Sequence, residues 1–299
     1  MYTKLLVPLD GSAFSESILP YARSLAKTLK LPVELFQAID PEIITALSDP
    51  GRGRYADVVA ADLSRDSLQY LEIVAGSFPE PSSVDCRVEI GDAPSAIVER
   101  AETHTGTLIA MSTHGRSGLK RWLMGSVADK VLQATKNHLL LVRPADPLER
   151  TGLKTLKTIL VPLDGSELAE RVLPHVSDMA KKLNIEVVLV RVYAVWEALR
   201  PSEEYNIDMA SLRDRLKAEA ERYLGEKVAQ LKAEGLDRVR SSLLEGDPAG
   251  QIIYLAQETP DNIVATCTHG RSGMSRWVLG SITEKVVRHS GDPVLVLRV

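Results

Sequence analysis

The chain writes one half of itself twice. Residues 113–126 read THGRSGLKRWLMGS and residues 268–281 read THGRSGMSRWVLGS, identical at ten of fourteen positions and offset by 155. Residues 4–12 read KLLVPLDGS and residues 157–166 read KTILVPLDGS, which places Asp10 and Asp164 at an offset of 154. One net insertion in the second copy accounts for the difference. A period this long excludes a solenoid and means a duplicated domain, so whatever folds once must fold twice. The 299 residues suit two domains of about 150 residues, each long enough to enclose a core. Pro144, Pro147 and Gly152 stand among charged residues between the copies, so the domains are placed at 1–147 and 153–299.

Within each copy, apolar runs alternate with helical patterns. In the first, strands are expected at Leu5–Leu9, Val33–Ile39, Val84–Ile90, Leu108–Ser112 and His138–Arg143. Helices are expected over Ser12–Lys30, with the serine as N-cap, and over Tyr55–Gly76, Ala93–Thr103 and Ser126–Thr135. Pro41–Arg54, rich in Pro, Gly and Asp, reads as a loop. The second copy repeats this, with strands near Thr158–Leu163, Glu186–Val192, Arg238–Leu244, Asn262–Thr266 and Pro293–Arg298, and a long helix over Ser211–Glu234. Strands alternating with helices predict βαβ units, hence two α/β domains with open parallel sheets flanked by helices.

Composition excludes several function classes. A net charge of −4 leaves no global basic surface for nucleic acid. Cys86 and Cys267, one in each half, make neither a disulfide framework nor a four-ligand zinc site. No leader pattern precedes the first strand and no apolar run is long enough to span a bilayer, so a cytoplasmic protein with no membrane partner is expected. Walker A, G-x-G-x-x-G and H-E-x-x-H motifs are all absent.

What the repeats carry instead is a strand, a glycine loop, and a helix opening on Gly125-Ser126 or Gly280-Ser281. Glycine lets a backbone approach a phosphate, and the N–H groups of a helix N-terminus point at it. In an open parallel sheet the ligand lies beyond the carboxyl ends of the strands, where the order reverses. Asp10 ends the first strand and Ser112 the fourth. If these strands are neighbours, a ribose-seeking carboxylate faces a phosphate-seeking loop. His114 and His269 have no matched nucleophile nearby and read as loop-positioning residues. Trp122 and Trp277 read as packing the loop onto the sheet. Lys120, Arg121 and Arg276 form a basic cluster too small for DNA.

Taken together, V-P-L-D-G-S, G-D-x-P before the third helix, and T-H-G-R-S-G resemble the universal stress protein family over essentially the whole chain. Its ATP-binding members carry G-x2-G-x9-G-[ST], matched here by Gly115 with Gly125-Ser126 and by Gly270 with Gly280-Ser281. The first glycine of that pattern is Ser112 in one copy and Cys267 in the other, both small enough to be tolerated. The resemblance implies a Rossmann-like, adenine nucleotide alpha hydrolase-like sheet in the order 3-2-1-4-5 in each half. It also implies ATP, with magnesium on its phosphates.

Carried over residue by residue, the resemblance lays Pro8, Leu9 and Asp10 along the adenosine and offers Ala38 backbone to adenine. Met111, Ser112 and His114 lead into the loop. Gly115, Arg116 and Ser117 wrap the phosphates, and Gly125, Ser126 and Val127 hold them. The second site comprises Pro162, Leu163, Asp164, Val192, Thr266, Cys267, His269, Gly270, Arg271, Ser272, Gly280, Ser281 and Ile282. The fifth strand would be an edge in each half, and a bare apolar edge is an aggregation hazard. Pairing Leu139–Val142 with Val294–Leu297 would cover both edges within one chain. Two such chains could associate further as a homodimer. The function expected is that of a nucleotide-responsive regulator in the stress response, acting on a protein partner the sequence does not identify. Two alternatives stay open: a weak ATP hydrolase or phosphotransferase, and a scaffold of the same fold that binds no nucleotide.

Overall fold

The computed structural model describes residues 2–79, 83–114, 124–144, 152–195, 209–268 and 280–298. It divides into two compact units, Met1–Thr155 and Leu156–Val299. The first contains strands β1 (Lys4–Pro8), β2 (Val33–Ile39), β3 (Val84–Ile90), β4 (Thr107–Ser112) and β5 (His138–Val142). Its helices are α1 (Leu19–Leu29), α2 (Pro41–Leu47), α3 (Ala56–Ala75), α4 (Ala93–Glu102) and α5 (Ser126–Ala134). The second contains β6 (Thr158–Pro162), β7 (Glu186–Tyr193), β8 (Val239–Glu245), β9 (Asn262–Cys267) and β10 (Val294–Leu297). Its helices are α6 (Glu167–Glu170), α7 (Leu173–Leu183), α8 (Met209–Ala233), α9 (Pro248–Glu258) and α10 (Ser281–His289).

Both sheets have the expected order. In the first unit all pairs are parallel and run β3-β2-β1-β4-β5, with Leu5 opposite Val33 on one side and Leu108 on the other. In the second the order is β8-β7-β6-β9-β10, with Ile159 between Val187 and Ile263. The strand order therefore reverses between β1 and β4, and again between β6 and β9. The apolar runs follow from this position. β4 and β9 are buried at every residue, as a central parallel strand covered on both faces must be. β3 pairs beyond β2 and shows the alternation of a half-covered strand.

Two helix expectations are corrected. Residues 12–18 are not α-helical: a 3-10 turn occupies Ser15–Ile18, and α1 begins at Leu19 with Pro20 in its first turn. The cause is a local side-chain network. Ser12 N–H donates to Asp10 Oδ1 (2.9 Å), Ser15 N–H to Ser12 Oγ (3.2 Å), and Ser15 Oγ to the Ser12 carbonyl (2.9 Å). Such bonds compete with helical ones. The segment 41–54, read as a loop, contains α2. Asp40 caps it by accepting from Glu42 N–H at 2.8 Å, and Pro41 sits where its missing N–H is no loss. Ile44 from α2 then packs with Ile39 and Val59.

Helix α1 is capped at its C-terminus by Lys30 and α7 by Asn184, both left-handed (φ 53° and 54°) at equivalent places in the two copies. Among the described residues, no helix is long and apolar enough to cross a membrane.

Candidate functional site

The expected juxtaposition of the first and fourth strands is present, since β1 pairs with β4. Just past β1, Leu9 N–H donates to the Phe36 carbonyl (2.8 Å) and keeps the chain in register with β2. The backbone then turns through Gly11, whose φ of 78° favours glycine, and Asp10 N–H donates to Ser15 Oγ at 3.3 Å. Past β4, Thr113 N–H donates to the Val142 carbonyl (2.8 Å) and Gly125 N–H to the Thr113 carbonyl (2.7 Å). This last bond closes the neck of the glycine loop. The second unit repeats it, with Gly280 N–H donating to the Thr268 carbonyl at 2.6 Å.

A cleft of about 280 Å³ opens at the switch point of the first unit. Pro8, Leu9, Asp10, Ala38, Met111, Ser112, His114, Gly125, Ser126 and Val127 all line it. Every expected first-half residue inside the described ranges is therefore on one wall or another. Gly115, Arg116 and Ser117 lie outside the described residues, as do Lys120, Arg121 and Trp122. Six further residues line the cleft beyond the expected set: Ser15, Phe36, Ala93, Ile97, Thr113 and Ala128. One of these was within reach of sequence periodicity: Phe36 shares the face of Ala38 at a strand spacing of two.

The polar groups of the cleft are organised. His114 Nδ1 is 3.0 Å from Thr113 Oγ1, and His114 N–H donates to Ser112 Oγ at 3.4 Å. Ser112, in place of the motif glycine, is thus engaged with the loop entry. Among the described residues, no group of three or more His, Cys, Asp or Glu could hold a metal ion.

Helix α5 opens into the cleft on Gly125, and α10 opens on Gly280. Neither has a side-chain cap among the described residues. Four other helices do carry such caps. Asp92 caps α4 and Asp247 caps α9, each accepting from the N–H three residues on. Ser166 caps α6 and Asp40 caps α2. Helices α1, α3 and α7 also lack side-chain caps among the described residues, so what sets α5 apart from them is that its glycine-led end lines the cleft. An anionic ligand at that end could accept from its first-turn N–H groups and complement the helix dipole. The cleft thus fits a nucleotide: apolar walls from Phe36, Met111 and Ile97, one carboxylate at Asp10, and a glycine-led helix end.

In the second unit, Asp164 Oδ1 accepts from Ser166 N–H (2.9 Å) and Ser166 Oγ (2.6 Å). Pro162 ends β6, Val192 lies on β7, and Thr266 and Cys267 end β9. Gly280, Ser281 and Ile282 begin α10. These stand at the positions their first-half counterparts occupy. His269, Gly270, Arg271, Ser272, Arg276 and Trp277 fall outside the described residues. The chemistry at two of the equivalent positions differs. Thr266 and Thr283 replace Met111 and Ala128; their hydroxyls lie 3.0 Å apart, and Thr283 Oγ1 donates to the Cys267 carbonyl at 2.9 Å.

A reversing parallel sheet with its cleft between a carboxylate turn and a glycine-led helix defines the doubly wound, Rossmann-like α/β class, present here in tandem. More specifically, the chain belongs to the universal stress protein family, whose sequence profile matches residues 1–143 and again 155–298. A universal stress protein of Mycobacterium tuberculosis is 24% identical over 304 residues, spanning 98% of this chain and 96% of the relative. One from Methanocaldococcus jannaschii is 29% identical over 168 residues, 56% of this chain and 94% of the relative. The crystal structure of a universal stress protein from Archaeoglobus fulgidus superposes with a TM-score of 0.66 at 22% identity, covering 99% of this chain and 97% of that one. That likeness shows the fold.

Proposed function

We propose that the chain binds an adenine nucleotide, ATP with magnesium on its phosphates, once in each half. On this reading ATP is a ligand that shifts conformation or assembly rather than a fuel, and the protein is a cytoplasmic regulator in the stress response. The observation that carries the reading is the cleft at the first unit's switch point, where the Asp10 turn meets the glycine-led start of α5.

In the first half, Asp10 accepts from ribose hydroxyls, and Pro8, Leu9 and Ala38 border the nucleoside with Met111 and Ser112. Gly125, Ser126 and Val127 receive the phosphates, with His114, Gly115, Arg116 and Ser117 completing the loop. In the second half the same tasks fall to Pro162, Leu163, Asp164, Val192, Thr266, Cys267, His269, Gly270, Arg271, Ser272, Gly280, Ser281 and Ile282. We take 1–147 and 153–299 as the domains. The two halves pair through Leu139–Val142 and Val294–Leu297, the fifth strand of each sheet. A homodimer and a protein partner extend the same reading.

Calorimetric titration of magnesium-ATP into nucleotide-free protein tests this. Two sites are expected in the parent, one each in Gly115→Val and Gly270→Val, and none in the double variant. No binding to the parent refutes it. Sustained linear phosphate release that the double variant abolishes would replace the regulator with a hydrolase.

A further inference from the structure

The two carboxylate turns are alike in sequence and unlike underneath. Pro8 pairs with Phe36 and Pro162 with Val190, so the next residues on the second strands, Gln37 and Arg191, are equivalent. Gln37 is a buried neutral amide whose Oε1 has no hydrogen-bond partner among the described residues. Arg191 is a cation with a defined seat. Its Nη1 donates to the Leu163 carbonyl at 3.3 Å, and that carbonyl belongs to the peptide joining Leu163 to Asp164. Leu163 N–H is meanwhile held by the Val190 carbonyl at 2.8 Å.

The guanidinium also fills the space that Gly165 leaves. A Cβ there would lie 2.6 Å from Nη1, at a φ of 81° that already disfavours any other residue. Behind it, the guanidinium carbon stands over the Tyr223 ring, 5.3 Å from the centroid. Tyr223 is itself fixed by donating to Glu170 at 2.9 Å, and Lys227 holds the other Glu170 oxygen at 2.7 Å. The planar fork is thus clamped from β7, α6 and α8 against the turn that bears Asp164.

We propose that Arg191 is a positioning residue for the second nucleotide site, fixing the peptide that carries Asp164 so that this half selects ribose over deoxyribose more strongly than the first half. The inference rests on the reading that Asp164 accepts from ribose hydroxyls. An aligned acceptor gains most from a hydroxyl and loses most when it is missing. Arginine suits the task because its donors are held in one plane and its charge does not titrate.

The test compares ATP with 2′-deoxy-ATP, each with magnesium, by calorimetry on the full chain. Gly115→Val reports the second site and Gly270→Val the first. The ratio of Kd values, deoxy over ribo, is expected to be about tenfold larger at the second site. Arg191→Gln should bring it down to the first-half ratio while the first-site Kd stays unchanged. Arg191→Lys keeps the charge but loses the plane, and should lower the ratio about threefold; it carries the test alone if the glutamine variant does not fold. An unchanged ratio in either variant, or equal weakening of both nucleotides, overturns the role of Arg191. If Gly115→Val protein takes up no nucleotide while Gly270→Val protein does, the second site itself is lost, and this inference with it.

Discussion

Replacing Glu34 alone should be far more damaging than replacing it together with both its partners. Glu34 is on β2 with its side chain 3% exposed, held by Lys4 Nζ at 2.5 Å, by Arg100 Nη2 at 2.9 Å, and also by Arg100 Nε. Burial pushes its carboxyl up, but the hydrogen bonds from Arg100 and then Lys4 outweigh burial and hold it below the usual carboxylate range. The duplication supplies a natural control. Lys4, Glu34 and Arg100 correspond to Thr158, Val188 and Leu255, so the second half builds the same corner without charge.

Glu34→Val alone leaves two cations with little access to water, their side chains 13% and 20% exposed. Breaking a buried pair costs about 3–5 kcal/mol. The partial exposure of both cations puts the expectation at the lower end, about 3 kcal/mol. The triple variant Lys4→Thr, Glu34→Val, Arg100→Leu installs the uncharged solution and should be neutral or stabilising by about 1–4 kcal/mol. Hydrogen–deuterium exchange of β1, β2 and β4 amides reads this, with second-half peptides as reference. The single variant should speed exchange by about two orders of magnitude, and the triple variant should not.

The pH dependence has a definite sign. A carboxyl held below its unfolded value of about 4.3 stabilises the fold above that pH, and the contribution is lost as pH falls through the lower folded value. The triple variant should lack this acid-induced loss in the first half. A triple variant as unstable as the single one would refute the reasoning, as would a single variant with parental exchange.

Three further expectations follow from the caps, the phenols and the turn glycine. Gly125→Asp, at a backbone of φ −64° and ψ 148° open to any residue, should cap α5 and raise the denaturation midpoint by the equivalent of about a few tenths of a kcal/mol. It should also abolish first-site nucleotide binding, because the carboxylate takes the N–H groups and repels phosphate; a titration showing retained binding would count against the helix-end site. Tyr70→Phe removes the donor to Glu16 (3.0 Å) and should cost about 1–2 kcal/mol in urea titration. Tyr223→Phe should cost less through Glu170, which keeps Lys227. Gly165→Ala meets both a left-handed backbone and the Arg191 guanidinium, so it should destabilise the second unit by more than about 1 kcal/mol in the same assay.

The parts of this fold that sequence reading reached are those fixed by burial on two faces. β4 and β9 are buried throughout and read as unbroken apolar runs, and their boundaries fell within a residue or two of expectation. Where polar side chains compete with the helix for the backbone, the reading failed. Asp10, Ser12 and Ser15 delay the start of α1, and Asp40 with Pro41 starts a helix in a stretch that composition marks as loop. The cleft was legible along the repeated motifs, because Asp10 and Gly125 recur as Asp164 and Gly280. Ala93 and Ile97 were not, since only the right-handed crossover of α4 brings them to β1 and β4. Repetition has its own blind side: it draws attention to what two copies share, whereas Gln37 against Arg191 and Glu34 against Val188 are places where they part. Those differences emerge when the halves are laid position on position, as strand register does, and they are where two sites of common origin can acquire separate properties.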